Sequence, residues 1–291
     1  MSWIPIHALR YSPASVDFAR DLTDAPNHIM IPTRHGQIGA LHYRPRRTNN
    51  DKHASPAPVH LIAHGGAFVI RMPEQEANVA NYLAHELGCH VIVPDYRVAP
   101  ESVFPAAEED MFDAYLWIRA NAHENGWDSN RISVGGASAG GKLALNVITQ
   151  ALDNSVTLPI AASVEYGCFD MSLPDSSRMS SARFPVISPR LFGLVRSTFF
   201  SGADLASGLA SPARHTRLSE FPPTLVLSGG VDTLKSDSEC LAEALSTKQV
   251  RVTYKEFTGI DHGFTHATPV NIAREALDAI RDHLRRAYEG N

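Results

Sequence analysis

The stretch Arg131-Ile132-Ser133-Val134-Gly135-Gly136-Ala137-Ser138-Ala139-Gly140-Gly141 decides how the rest of the chain reads. Ile132 to Gly136 is a short β-prone run, and Lys142 to Leu152 is a helix-prone run. Between them lies G-x-S-x-G, at Gly136, Ser138 and Gly140. A strand–turn–helix of this kind holds its serine on a strained backbone with the hydroxyl exposed. The flanking glycines let strand and helix approach where a larger side chain would collide. The N–H of Ala139 then faces an oxygen bound near Ser138. The pattern alone is weak, because small residues also cluster in ordinary loops. The strand before it and the helix after it are the context that makes the serine a candidate nucleophile.

Outward from this turn, strands and helices alternate. Upstream, Ile29 to Ile31 and Ile38 to Tyr43 read as strands about a turn at His35-Gly36. Val59 to Ala63 is a continuous apolar run, as a buried strand of a parallel sheet reads. It ends in His64-Gly65-Gly66-Ala67. The backbone N–H groups of Gly65, Gly66 and Ala67 are candidates for an oxyanion hole together with Ala139. His64 reads as a loop-orienting residue. Glu76 to Leu87 is helical with Gly88 as C-cap, Val91 to Val93 is a strand, and Pro105 to Asn121 is a helix with Pro105 in its first turn. Downstream, Ile160 to Val164, Thr224 to Leu227 and Val250 to Phe257 read as strands. Glu239 to Leu245 and a segment from Val270 read as helices.

Two regions break the alternation. Residues 1–27 are mixed, with a short helical pattern at Val16, Phe18, Ala19 and Leu22. Residues 167–212 mix prolines, serines and short apolar pieces, too long for an ordinary loop, so helices of their own are expected there. The whole predicts an α/β protein with a mainly parallel sheet. Ligands in such sheets bind beyond the carboxyl ends of the strands. Ser138, the Gly65–Ala67 turn, Asp232 and His262 each follow a predicted strand directly.

A serine hydroxyl attacks well only when a base removes its proton. The chain order Ser138, Asp232, His262 supplies a base and a group to orient it. Each choice has a bland rival. An Asp in a post-strand loop is more often a turn residue or a helix N-cap. Asp237 is the main competitor for the acid, and Asp261 sits too close to the base. The chain has 14 histidines, so none stands out by type alone. His266 could pair with His262 on a metal, but the glutamate of that helical motif is missing, so no metal site and no cofactor are expected. A histidine base predicts that kcat/KM falls in acid, below roughly pH 6.5.

Composition narrows the class. The chain has 291 residues, 44% hydrophobic and 20% charged, which suits one large α/β domain or a core domain with a small lid. A net charge of −5 argues against a nucleic-acid surface. The basic group Arg44, Arg46, Arg47 and Lys52 lies in a polar loop and reads as solvated. Cys89, Cys168 and Cys240 show neither a disulfide framework nor metal spacing. Residues Met1 to Ser15 lack the basic and apolar regions of a secretory signal, so the expected location is cytoplasmic. No apolar stretch approaches the length of a membrane span. The late strand Val250–Phe257 is a candidate homodimer edge.

With these residues in hand, the chain resembles the hormone-sensitive-lipase-like α/β-hydrolases, the bacterial family IV esterases. The resemblance runs from about Val59 to the C-terminus. It is carried by His64-Gly65-Gly66-Ala67-Phe68, Asp95-Tyr96-Arg97-Val98-Ala99-Pro100-Glu101, Phe104-Pro105-Ala106-Ala107, Gly136-Ala137-Ser138-Ala139-Gly140-Gly141, Pro222-Pro223-Thr224-Leu225-Val226, Asp232-Thr233-Leu234 and His262-Gly263-Phe264. It implies a mostly parallel eight-stranded sheet flanked by helices, with a helical cap from residues 1–27 and 167–212. The core would then be residues 28–166 and 213–291. It implies a triad of Ser138, Asp232 and His262, donors at Gly66, Ala67 and Ala139, and hydrolysis of short-to-medium acyl esters. An amidase or deacetylase on the same triad, and a non-catalytic ligand-binding relative, are the alternatives. Two positions depart from the family pattern: Ala67 stands for a glycine and Ala137 for an aspartate.

Overall fold

The computed structural model describes residues 18–46 and 55–290. Val16, Arg47 and Lys52, named above, lie outside the described residues, as does most of the N-terminal arm. Strands β1 (Asn27–Thr33) and β2 (Gly36–Tyr43) form an antiparallel hairpin. Then come β3 (Ala57–Ala63), α1 (Ala77–Leu87), β4 (His90–Pro94), α2 (Ala106–Ala120) and the single turn α3 (Ala122–Asn125). The chain continues through β5 (Trp127–Ala137), α4 (Ala139–Asp153), β6 (Ala162–Glu165), α5 (Pro189–Thr198), β7 (Thr224–Gly229), α6 (Lys235–Thr247), β8 (Val252–Phe257) and α7 (Val270–Tyr288).

These strands make one eight-stranded sheet in the order β1-β2-β4-β3-β5-β6-β7-β8. From β4 to β8 all neighbours are parallel, and β2 joins β4 antiparallel. The interior strands are apolar because both faces are covered. Residues of α2 and α4 pack on one face, and residues of α1 and α7 on the other. The chain leaves β3 towards β4 and leaves β5 towards β6. The crevice beyond the carboxyl ends of β3 and β5 is therefore a topological switch point, where such sheets bind ligands. The pairing of Ala63 with Gly136 sets the two following loops side by side.

Several boundaries differ from the sequence reading. Helix α4 begins at Ala139, not Lys142. The tiny residues that read as a loop are helical, because only they fit against β3. Strand β5 starts at Trp127, five residues before the β-prone run. Pro105 occupies the N-cap of α2 instead of its first turn. Helix α4 is buried from Ala139 to Leu152, as its nearly all-round apolar pattern predicts, and this includes Lys142. Residues 167–212 hold one α-helix, α5, and short 3₁₀ turns at Asp175–Ser177 and Pro212–Arg214. Among the described residues no helix is long and apolar enough to cross a membrane.

Candidate active site

Ser138 sits between β5 and α4 at φ 57°, ψ −121°. This is a costly conformation for a residue with a Cβ. Steric need explains the neighbours. A Cβ on Gly140 would lie 1.9 Å from the Ala63 carbonyl oxygen, and one on Gly136 would lie 2.5 Å from the same atom. The Ser138 N–H donates to the Glu165 carbonyl at 2.9 Å, which ties the turn to β6.

The three residues chosen from sequence meet here. Ser138 Oγ lies 2.9 Å from His262 Nε2, and His262 Nδ1 lies 2.8 Å from Asp232 Oδ2. Asp232 is almost fully buried, and its other oxygen accepts from the Leu234 N–H at 2.9 Å. With the carboxylate accepting at Nδ1, Nε2 is the nitrogen free to take a proton from the serine. The rivals are engaged elsewhere. Asp237 is buried against Arg178, with Nε to Oδ2 at 2.8 Å, and accepts from the N–H groups of Phe169 and Asp170. Asp261 accepts from the N–H groups of His262 and Val186, and so ties the histidine loop to the 167–212 segment. His266 lines the same pocket. Burial and the neighbouring His262 bring its imidazole down to about 4, so it is neutral.

The loop after β3 turns through three residues with positive φ: Gly66 at 126°, Ala67 at 54° and Phe68 at 60°. Only glycine fits at 66, since a Cβ there would meet the Ile70 carbonyl oxygen at 2.6 Å. Ala67 tolerates its Cβ by taking the left-handed region, at a cost of about 1 kcal/mol. Among the described residues the N–H groups of Gly66 and Ala67 donate to no protein acceptor. Ala139 opens α4, so its N–H has no helical partner.

Gly65 departs from the sequence reading. Its N–H donates to Glu76 Oε1 at 3.2 Å and is not free for a ligand oxygen. His64 is inaccessible, stacked on Tyr96 at 4.1 Å, and donates from Nδ1 to the Gly65 carbonyl at 2.6 Å. Burial holds its imidazole near 4, so it orients the loop as a neutral ring.

The sequence reading missed several residues. Tyr166 sets its ring edge-on to His262 at 4.7 Å and bonds through its hydroxyl to Thr265. Burial pushes the Glu76 carboxyl up to about 7 and that of Glu165 well above its ordinary range. Glu76 looked like any charged residue at a helix start; nothing local marks it as enclosed. Lys142 did carry a signal, a cation inside a helix that is otherwise uncharged until Asp153.

Over Ser138 and His262 lies a cavity of about 280 Å³, walled by Val69, Ile70, Tyr166, Val186, Ile187 and Leu191. Gln75 adds a polar group at its rim. A larger hollow of about 650 Å³ between the β1–β2 hairpin and α1 shares only Gln75 with it, and among the described residues no serine or threonine hydroxyl lining it is hydrogen-bonded to a histidine.

A serine, a histidine and a buried carboxylate bonded in series, beside free N–H groups at a switch point, define the site of an α/β-hydrolase. The chain belongs to the alpha/beta hydrolase fold family, whose model matches residues 60–266. An arylesterase from Saccharolobus solfataricus is 32% identical over 220 residues, 75% of this chain and 70% of that one. The esterase LipI of Mycobacterium tuberculosis is 30% identical over 273 residues, 89% of this chain and 83% of that one. Among solved structures, a Pyrobaculum calidifontis esterase superposes with a TM-score of 0.83 at 33% identity, covering 90% of this chain and 86% of that one. A thermostable carboxylesterase cloned from a metagenomic library gives 0.84 at 29% identity, with 91% and 90% covered. These agree with the resemblance to the hormone-sensitive-lipase-like esterases.

Proposed function

We propose that the protein is a carboxylesterase acting on small acyl esters through Ser138, His262 and Asp232. The observation that carries this reading is the unbroken bond series from Asp232 through His262 to Ser138 Oγ, open to an apolar cavity. Ser138 Oγ attacks the acyl carbon while His262 Nε2 takes its proton. The carbonyl π electrons move to oxygen, and the N–H groups of Gly66, Ala67 and Ala139 hold that oxyanion. Collapse breaks the acyl–oxygen bond, and the alcohol leaves with the proton from His262. Water, deprotonated by the same nitrogen, then releases the acid and restores the serine. Asp232 keeps the imidazole in register throughout.

A cavity of about 280 Å³ lies at the small end of ligand pockets, which favours short-to-medium acyl groups. Residues 167–212 form the proposed cap over this cavity, since Val186, Ile187 and Leu191 wall it, whereas arm residues between Arg20 and Pro26 line the larger hollow and residues 1–17 lie outside the described residues. The proposed location is the cytoplasm; all three cysteines are free, as a reducing compartment leaves them. The open side of β8, at the end of the sheet, is the proposed homodimer contact, to be checked by sedimentation.

The deciding experiment is hydrolysis of aryl esters of graded acyl length, each beside its matched anilide, with an organophosphonate label mapped by mass spectrometry. Labelling of Ser138, ester over anilide turnover, and loss of both label and turnover in Ser138→Ala are expected. Turnover that survives in Ser138→Ala would remove the serine from the reaction. Faster anilide cleavage would make the enzyme an amidase.

A further inference from the structure

Lys142 stands one turn after Ser138 on α4 and is completely inaccessible. Its ammonium uses all three protons: to Glu108 Oε1 at 2.6 Å, to Asn146 Oδ1 at 2.7 Å and to the Leu209 carbonyl at 3.0 Å. Glu108, on α2, is equally inaccessible, and its Oε2 has no hydrogen-bond partner. Three phenyl rings surround the ammonium: Phe68 at 5.7 Å, Phe104 at 5.6 Å and Phe200 at 5.4 Å, all within cation–π range. One buried charge therefore touches the serine helix, α2, the loop of oxyanion donors and the 167–212 segment.

Phe68 follows Ala67 directly, and both hold left-handed backbone conformations that a Cβ disfavours. Such a conformation persists only where the surroundings over-determine it. The Phe68 ring is held on several sides, stacked on Phe199 at 4.7 Å, edge-on to Phe200 at 5.4 Å and beside the Lys142 ammonium. Its carbonyl accepts from the Ala99 N–H at 2.8 Å. A buried ion pair is a poor way to add stability, because apolar residues of the same volume commonly do as well. What the pair adds is direction: an apolar side chain would fill the space but leave the Asn146 amide oxygen without this partner and the Leu209 carbonyl held by Asn146 Nδ2 alone.

We propose that the Lys142–Glu108 pair is a positioning device for the reaction. It fixes the Ala67–Phe68 turn relative to Ser138, so that the Gly66, Ala67 and Ala139 N–H groups converge on one oxygen. The device acts in the transition state, where the oxyanion forms, and leaves ground-state binding alone. It rests on the esterase reading above.

The test is Glu108→Leu/Lys142→Met, which removes both charges and keeps the volume. The double variant is expected to unfold cooperatively at a temperature close to that of the parent. Its kcat on p-nitrophenyl acetate is expected to fall about ten- to a hundred-fold, part of the loss seen when an oxyanion donor is deleted. KM should stay within about two-fold, since the lost contact belongs to the transition state, and the rate of phosphonylation should fall with kcat. Phe68→Leu alone should cause a similar fall, with little further loss in the double-variant background, because both changes release the same turn. A folded double variant with parental kcat overturns the proposal, as does a Phe68→Leu effect that multiplies with it. Should the double variant not fold, Phe68→Leu and Phe200→Leu decide, since both leave the ion pair in place. Parental kcat in both refutes the device. Failure of the esterase reading would look different: no turnover in the parent, or turnover that persists in Ser138→Ala.

Discussion

The elbow at Ser138 and the segment 167–212 solve opposite problems. The elbow is held by shape. Its glycines leave no room for a Cβ, and its backbone bonds directly to β6. The segment has one α-helix and short 3₁₀ turns and is otherwise irregular. It is anchored at separate polar points: Arg178 to Asp237, Ser180 to the Val231 carbonyl, Thr233 to the Ile187 carbonyl, and Arg214 to Asp170. Close steric packing fixes atoms to fractions of an ångström, as the reacting groups require. Point anchors hold a segment in place while the side chains between them stay free to shape a pocket. Met179 and Phe184 lie between such anchors and are 76% and 81% exposed.

This contrast can be broken. In the elbow, Gly140→Ala puts a Cβ 1.9 Å from the Ala63 oxygen, and backbone there cannot swing aside. The expected cost is about 3 kcal/mol or more, with activity lost in whatever folds, read from urea melts and ester assays. Unchanged stability would show that shape does not hold the elbow. In the segment, Arg178→Met strands the buried Asp237 carboxylate. A loss of about 3 to 5 kcal/mol is expected, but as opening of residues 170–191, seen by hydrogen exchange, with kcat largely kept at saturating ester. Equal collapse of kcat would erase the distinction between the two regions.

Two smaller effects sharpen it. Glu76 braces the Gly65–Ala67 loop from within the core, and burial lifts its carboxyl from an ordinary 4.5 to about 7. Between those values the folded chain holds a proton that the unfolded chain has released, so this group makes the fold less stable as pH rises through the window. Glu76→Gln removes that titration. Its stability relative to the parent is expected to improve by about 2 to 3 kcal/mol between pH 5 and pH 8. A pH-independent difference would mean that Glu76 is ionised in the fold throughout. Leu191→Ala enlarges the cavity wall away from the triad. A shift of about ten-fold in kcat/KM between short and medium acyl esters is expected, with the best substrate turned over at the parental rate. A uniform loss on every ester would make Leu191 part of the chemistry.

The legible parts of the molecule are those governed by short-range rules. The elbow showed in sequence because strand, tiny residues and helix follow one another within a few positions. The start of α4 did not, because glycine-rich sequence reads as loop until β3 is seen packed against it. Gly65 to Ala67 read as a loop after a strand, as the structure has them, but the reading that gives the N–H of Gly65 to a ligand fails, because it belongs to Glu76, eleven residues away on a separate element. Residues 167–212 were the least readable because their order comes from anchors, and half of each anchor lies elsewhere in the chain.

Alone, the sequence determined the alternation that makes a parallel α/β sheet, the serine at the elbow, and an acid and a histidine after later strands. Those follow from backbone sterics and hydrophobic periodicity, which act over a few residues. Only the tertiary structure decided which loop N–H groups stay free, that the rival Asp237 is taken up by Arg178, and that Lys142 and Glu108 are sealed together beneath the site. Those outcomes turn on which distant side chains exclude water from a charge and which offer it a partner, and no local window contains that information.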